Sequence, residues 1–315
     1  MVGMKRSATL LEGHRNKAMR VAITGGSGFL GQEVIRMMEG NSGITPIVIG
    51  RAACSGDRGY EYRATDYSVE SLSQVLMGVD AVIHLAAVRG GNSSISEFHP
   101  NELITENLLK SCVELGIANI VYASSISVYS DVKKIPWTEK QIPWPKTMYG
   151  ISKLSCEYLG DLFHRRHGLK VKSLRFAHLL GEGERKGYMM NTFIDRAFNK
   201  QSLKVIGKSQ AKREFVYIKD AARAIILALN KPEYHGSLNI GSNKAHSNLE
   251  IARIVNECFD NIGNLSYQDD IDEGIESSLM DSSKAGQVLG YYPEYDLRRG
   301  LLDIKKQKLE GVKSV

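Results

Sequence analysis

Between residues 24 and 31 the chain reads Thr24-Gly25-Gly26-Ser27-Gly28-Phe29-Leu30-Gly31, with glycines at 25, 28 and 31. Residues 20–24 before it are short, apolar and β-branched, and residues 32–38 after it have helical spacing. A strand, a glycine turn and a helix in that order leave few folds open. Glycine permits the tight turn and lets backbone N–H groups approach a pyrophosphate, whose charge then sits at the positive end of the helix. No Gly-Lys-Ser or Gly-Lys-Thr follows, so the loop is not of the Walker type. The expected ligand is a dinucleotide, held through Gly25, Gly28, Phe29 and Leu30.

The same alternation continues downstream. Residues 46–50, a weaker stretch around 60–65, and residues 80–85, 119–123 and 171–175 read as strands; 69–77, 101–115 and 149–167 read as helices. Continuous apolar strands separated by helices imply an α/β, doubly wound Rossmann-type parallel sheet covered on both faces, with ligands at the carboxyl ends of its strands. After Arg175 the alternation weakens, which suggests a smaller C-terminal substrate-binding lobe. The expected organisation is an extension over 1–18, a dinucleotide-binding domain over 19–175 and a substrate lobe over 176–315, with part of 214–241 returning to the cofactor domain. Pro136-Trp137 and Pro143-Trp144-Pro145 mark a long loop before the helix at 149.

Charge and cysteine usage narrow the function classes. The formal charge is +6, but Lys5, Arg6, Arg15 and Lys17 against Glu12 place half of it in the first eighteen residues. The body is near balance and shows no basic stripe, which argues against nucleic acid. No segment reaches membrane-span length, and the start lacks the apolar run of a secretory signal. Cys54, Cys112, Cys156 and Cys258 lie far apart, with no metal-ligand spacing and no disulfide framework, as suits a reducing cytoplasm.

Two further features carry chemistry. Tyr149 and Lys153 stand four residues apart, hence on one helix face, where the ammonium would lower the phenol from an ordinary value of about 10 towards a useful acid or base. An upstream strand ends in Ala123-Ser124-Ser125, at the edge where the reactive ring of the cofactor should lie, so a serine hydroxyl there can bind a substrate oxygen. At the end of the second strand, where an acidic residue would read a ribose 2′-hydroxyl, the chain has Gly50-Arg51. The arginine suits a 2′-phosphate, which favours NADP over NAD.

With the glycine loop, Asp66, His84-Leu85-Ala86-Ala87, Ser125 and the Tyr149–Lys153 pair, the chain resembles the extended short-chain dehydrogenase/reductase superfamily, and within it the NAD-dependent epimerase/dehydratase family. Residues 213–224, 281–285 and 289–293 extend the resemblance, which runs from about Met19 to Leu301. It implies Tyr149 as acid/base, Lys153 as holder of the nicotinamide ribose, and Ser125 as the third catalytic group. It also puts Asp66 and Tyr67 near adenine, Leu85, Ala86 and Ala87 along the dinucleotide, Phe176 near the nicotinamide, and Arg213 on a substrate diphosphate. A homodimer is a further implication.

The departures refine this. Dehydratases of the family carry Asp-Glu after the catalytic hydroxyl; Ile126-Ser127 stands here and offers neither the acid nor the base that elimination needs. The usual Arg-Pro-Phe-Asn becomes Arg175-Phe176-Ala177-His178, leaving His178 as either a substrate donor or a structural residue. The leading expectation is an NAD(P)-dependent enzyme of a nucleotide sugar, an epimerase acting through a transient 4-keto sugar. A 4-keto sugar reductase, a reductase of another small carbonyl compound and a cofactor-sensing regulator are the alternatives.

Overall fold

A computed structural model of the chain describes residues 18–40, 43–51, 60–89, 94–270, 274 and 276–313. Residues 1–17 of the expected extension, and Cys54, lie outside them. Seven parallel strands form the central sheet: β1 (Met19–Thr24), β2 (Ile44–Gly50), β3 (Glu61–Ala64), β4 (Ala81–His84), β5 (Asn119–Ser125), β6 (Lys170–Phe176) and β10 (Gly236–Ile240). Their spatial order is β10-β6-β5-β4-β1-β2-β3. Every pairing between neighbours is parallel.

That order reverses direction at β1 and β4, the position where a doubly wound sheet opens a crevice. The connecting helices are α1 (Phe29–Glu39), α2 (Val69–Val75), α3 (Ile95–Leu115), α4 (Met148–His167) and α6 (Ile218–Leu229). Two apolar cores result, one on each face: one is built on Val21, Ile23, Val34 and Ile225, the other on Ala22, Ile49, Leu72 and Leu108. Adjacent residues of β1 thus point to opposite cores, as the two-residue period of a strand buried on both faces requires.

The remaining elements are β7 (His178–Leu180), α5 (Met189–Phe198), β8 (Leu203–Ile206), β9 (Lys212–Tyr217), β11 (Ala245–Ser247), α7 (Asn248–Cys258), β12 (Leu265–Gln268), α8 (Ser283–Leu289) and α9 (Leu297–Lys313). Here β11-β9-β7 form a small mixed sheet and β12-β8 a parallel pair. The periodicity did not reveal these strands, because most are only three or four residues long.

Two helix boundaries correct the sequence expectations. Helix α1 begins at Phe29, not 32, because the glycine loop turns directly into it. Helix α3 begins at Ile95, not 101: Pro100 sits inside it, and the helix tolerates the missing hydrogen bond near its N-terminal end.

Candidate active site

Parallel strands end on one edge, and register fixes which ends are neighbours. Thr24 pairs with Ile49 on one side and His84 on the other. His84 pairs with Tyr122, and Ser125 with Phe176. Along this edge runs a cavity of about 830 Å³.

At one end of it lies the glycine loop. Gly25 has φ of +70°, and a Cβ there would meet the backbone nitrogen of Ala86 at 2.7 Å, so only glycine lets the loop lie against the end of β4. Gly28 caps α1 without a side-chain bond, and the first turn of α1 has no acidic residue. By contrast Ser68, Thr147 and Ser247 cap α2, α4 and α7 with side-chain oxygens. Helices α3, α5, α6 and α8 also lack a side-chain cap; what marks α1 is that its first residues line the cavity directly after the glycine loop, the arrangement a pyrophosphate needs.

A buried chain of hydrogen bonds braces this edge. Thr105 donates to the Asn101 carbonyl at 2.7 Å, so His84 Nε2–H is the donor to Thr105 at 3.0 Å, and His84 Nδ1 accepts from the Thr24 hydroxyl at 2.7 Å. The Thr24 oxygen in turn accepts from the Ala86 amide at 3.2 Å. Burial, with Lys153 adding to it, pushes the His84 imidazole down to about 3, so it stays neutral. The Asn101 side chain grips Val88 from both its N–H and C=O sides and also reaches Ser152 on α4. Together these groups set the path of residues 85–88.

At the other end stand Ser125, Tyr149 and Lys153. The Ser125 oxygen caps the turn after β5 by accepting from the Ser127 amide at 3.1 Å, its hydroxyl donates to Ser127 Oγ at 3.1 Å, and it lies close enough to Tyr149 to lower that phenol. Helix α4 starts tightly against that turn, since a Cβ on Gly150 would collide with the Ser127 carbonyl. Lys153 is 3% exposed, and its Nζ donates to the Ala123 carbonyl at 2.8 Å while lying 5.8 Å from the Tyr149 ring centroid. Burial lowers the ammonium to about 8.

The electrostatics correct one expectation. Burial raises the Tyr149 phenol above its ordinary value, and the cation that opposes this most is Arg89, with the Ser125 hydrogen bond adding to it. Lys153 points past the phenol to Ala123, so its charge is not the main influence on Tyr149. Arg89 carried no sequence signal, lying in an irregular stretch three residues beyond the Leu85-Ala86 pair.

Of the residues expected from sequence, Gly25, Gly28, Phe29, Leu30, Arg51, Tyr67, Leu85, Ala86, Ala87, Ser125, Tyr149, Lys153, Phe176, His178 and Arg213 all line this one cavity. Asp66 does not: its carboxylate accepts from the Ser68 amide at 2.8 Å, caps the turn into α2 and is exposed. His178 is open to the cavity rather than sealed in a core, with its ring 5.7 Å from Phe215. Surrounding protein and the Arg213 cation hold its imidazole below the usual range, so it is neutral at pH 7 and able to donate one hydrogen bond. Sequence reasoning missed Arg89, Glu184, Tyr188 and Met189, which line the cavity through long-range folding. Behind it, Arg175 forms a buried bidentate pair with Glu157, and Ser124 and Ser237 also bond that carboxylate. This ties β5, α4, β6 and β10 together beneath the cavity.

Residues 21–241 match the NAD dependent epimerase/dehydratase family. The chain belongs to that family. It is therefore an NAD-dependent enzyme of the extended short-chain dehydrogenase/reductase type. Among solved structures it is similar to UDP-N-acetylglucosamine 4-epimerase from Bacillus cereus, with 46% identity, a TM-score of 0.86 and coverage of 92% of this chain and 96% of that one. It is similar also to MoeE5 in complex with UDP-glucuronic acid and NAD, at 27% identity, a TM-score of 0.81 and coverage of 93% and 99%. Among curated proteins it is 28% identical over 303 residues to the uncharacterized UDP-glucose epimerase YtcB of Bacillus subtilis (strain 168), covering 90% of this chain and 96% of that protein. The glycine loop before α1, the close contact of Gly25 with Ala86 and a cavity lined by both that loop and the Tyr149–Lys153 end all fit a dinucleotide.

Proposed function

We propose that this chain is a UDP-sugar 4-epimerase with a resident NAD. The observation that carries the reading is the grouping of Ser125, Tyr149 and Lys153 at one end of a cavity whose other end is the glycine loop, with no carboxylate after Ser125. Ile126 is buried and Ser127 is a hydroxyl, so nothing there can eliminate water. The bound dinucleotide supplies the acceptor and donor of hydride.

The protein's own groups handle the proton and the geometry. Tyr149 takes the proton of the sugar 4-hydroxyl as the hydride leaves C4, and returns it to the same oxygen after the ketone has turned its other face. Ser125 bonds that oxygen, and Lys153 holds the ribose and Ala123. Arg213 binds the diphosphate, and neutral His178 donates to the substrate. Leu85, Ala86, Ala87 and Phe176 flank the dinucleotide, with Tyr67 and Asp66 towards its adenine.

Arg51 is exposed on the cavity wall at the end of β2 and supports tolerance of a 2′-phosphate. Binding of NADP much weaker than that of NAD would remove that tolerance. Leu103 on α3 and Ile151 and Tyr158 on α4 are exposed, which supports a homodimer paired through these helices and measurable by light scattering. No helix among the described residues is long and apolar enough to cross a membrane, and the described cysteines are free and buried, in keeping with the cytoplasm.

The deciding experiment offers purified protein a panel of UDP-sugars without added cofactor. Interconversion at C4, with dinucleotide retained by the protein, is the expected result. Stoichiometric consumption of added NADPH would instead make the chain a 4-keto sugar reductase. Tyr149→Phe should abolish turnover while leaving bound dinucleotide in place.

A further inference from the structure

The cavity is lined by four cations, Arg51, Arg89, Lys153 and Arg213, and among its described lining residues by a single carboxylate, Glu184. A carboxylate is out of place in a cavity meant for two diphosphates unless it faces a part of the ligand that carries no charge. Glu184 is held there deliberately by its surroundings. Its side chain is 8% exposed and its Oε1 lies 3.5 Å from Arg89 Nη2. The backbone around it is tied down as well: Arg185 donates to the Arg89 carbonyl at 3.0 Å, and Asn191 on α5 donates to the Arg185 carbonyl at 2.7 Å. The pair thus spans the cavity from the segment after β4 to the segment after β7.

The position of the pair along the cavity follows from what it acts on. Asn101 holds Val88, next to Arg89, and also bonds Ser152, next to Lys153 on α4, which sets Arg89 at the Tyr149–Lys153 end, where its charge bears on both groups. Arg51, at the end of β2, belongs to the adenosine end, Arg213 stands on β9, and Lys153 lies beneath the phenol. Arg89 is therefore the lining cation that stands beside the reacting groups and is ion-paired with the lining carboxylate, Glu184. Resting on the reading of this cavity as a UDP-sugar site, we infer that the Arg89–Glu184 pair is a specificity element: Glu184 cancels the cation at the sugar end, so that the enzyme accepts uncharged sugars and rejects uronates.

The consequence for the two ligand classes is opposite in sign. A sugar bearing a hydroxymethyl or N-acetyl group meets a neutral pair. A uronate brings its carboxylate beside Glu184 and finds Arg89 already occupied. Replacing Glu184 by glutamine keeps the shape and removes the negative charge, leaving Arg89 to receive the uronate.

The test compares UDP-glucuronate with UDP-N-acetylglucosamine on the full-length protein carrying its dinucleotide, by calorimetric binding and by kcat/KM. The parent is expected to favour the uncharged sugar, and Glu184→Gln to raise the uronate-to-neutral ratio by about tenfold or more, the change produced by about 1.4 kcal/mol. Arg89→Gln, which leaves the carboxylate alone, is expected to move the ratio the other way; it supplies the same answer should Glu184→Gln fold poorly. A parent that handles UDP-glucuronate as well as the neutral sugar, or ratios that both substitutions leave unchanged, would overturn the inference. Failure of the parent to bind any UDP-sugar would instead overturn the reading of the cavity itself.

Discussion

Lys153 donates from Nζ to the backbone carbonyl of Ala123 at 2.8 Å, tying the first turns of α4 to the end of β5. The ammonium is almost wholly buried, and burial lowers it to about 8, so it is held at a cost to the fold. Lys153→Met removes both the tie and the buried charge. The expected outcome is a melting temperature no lower than that of the parent, with turnover reduced by about a hundredfold or more. Thermal unfolding and steady-state kinetics on the same preparation check both halves; a variant that loses stability and activity in parallel would make Lys153 a merely structural residue.

Gly25→Ala attacks the other end of the cavity. The left-handed backbone at this position costs a residue with a side chain about 1–2 kcal/mol, and the new methyl would press on the Ala86 nitrogen. The strain falls on the loop that presents the α1 amides, so dinucleotide content should drop more steeply than stability. Absorbance of the purified protein, against its denaturation midpoint, separates the two effects.

How much of this was legible beforehand follows from the range of each contact. The glycine loop and the Tyr149–Lys153 spacing are local features, set by residues within one turn or one helix face, and both appear in the structure as read. The pairing of Arg89 with Glu184 joins residues 95 positions apart, and nothing local to either marks it. The same holds for Arg175 with Glu157: the arginine was noted only as part of a departing motif, yet it anchors a buried network with Ser124 and Ser237. Asp66 shows the converse case. The family motif puts it near adenine, and in the structure it stands outside the cavity lining with Oδ1 accepting from the Ser68 amide, a local turn that the motif does not announce. The strands β7, β9 and β11 escaped notice because short strands that pair with distant partners leave too few residues for a period to show.

Arg89 also gives a prediction for the pH dependence of the site. Burial raises Tyr149, and Arg89 is the main influence lowering it. A base must be deprotonated to act, so raising its pKa moves the ascending limb of the pH–rate profile to higher pH. Removing the Arg89 cation also lets Lys153 rise, since Arg89 depresses that ammonium too. Arg89→Gln should therefore shift the whole profile to the alkaline side and lower activity near pH 7, and Arg89→Lys should restore most of it. An unshifted profile in the glutamine variant would exclude Arg89 from tuning the phenol.

Far from the site, Lys172 on β6 is fully buried, with its Nζ donating to the Asn119 side chain at 2.5 Å. Burial lowers its ammonium to about 7, with Glu233 opposing the shift. In the unfolded chain the same group titrates near its ordinary value of about 10.4. Below pH 7 both states carry the proton and the folded state bears the full cost of a buried charge. Between about 7 and 10 the unfolded chain binds more protons than the folded one, so this group makes stability rise with pH. Lys172→Met should consequently stabilise the protein at pH 6.5 by on the order of a few kcal/mol, and the advantage should shrink as the pH is raised to 9.5. Urea denaturation of parent and variant at the two pH values measures the difference directly. An advantage that stays constant with pH would mean that the lysine keeps its proton inside the fold.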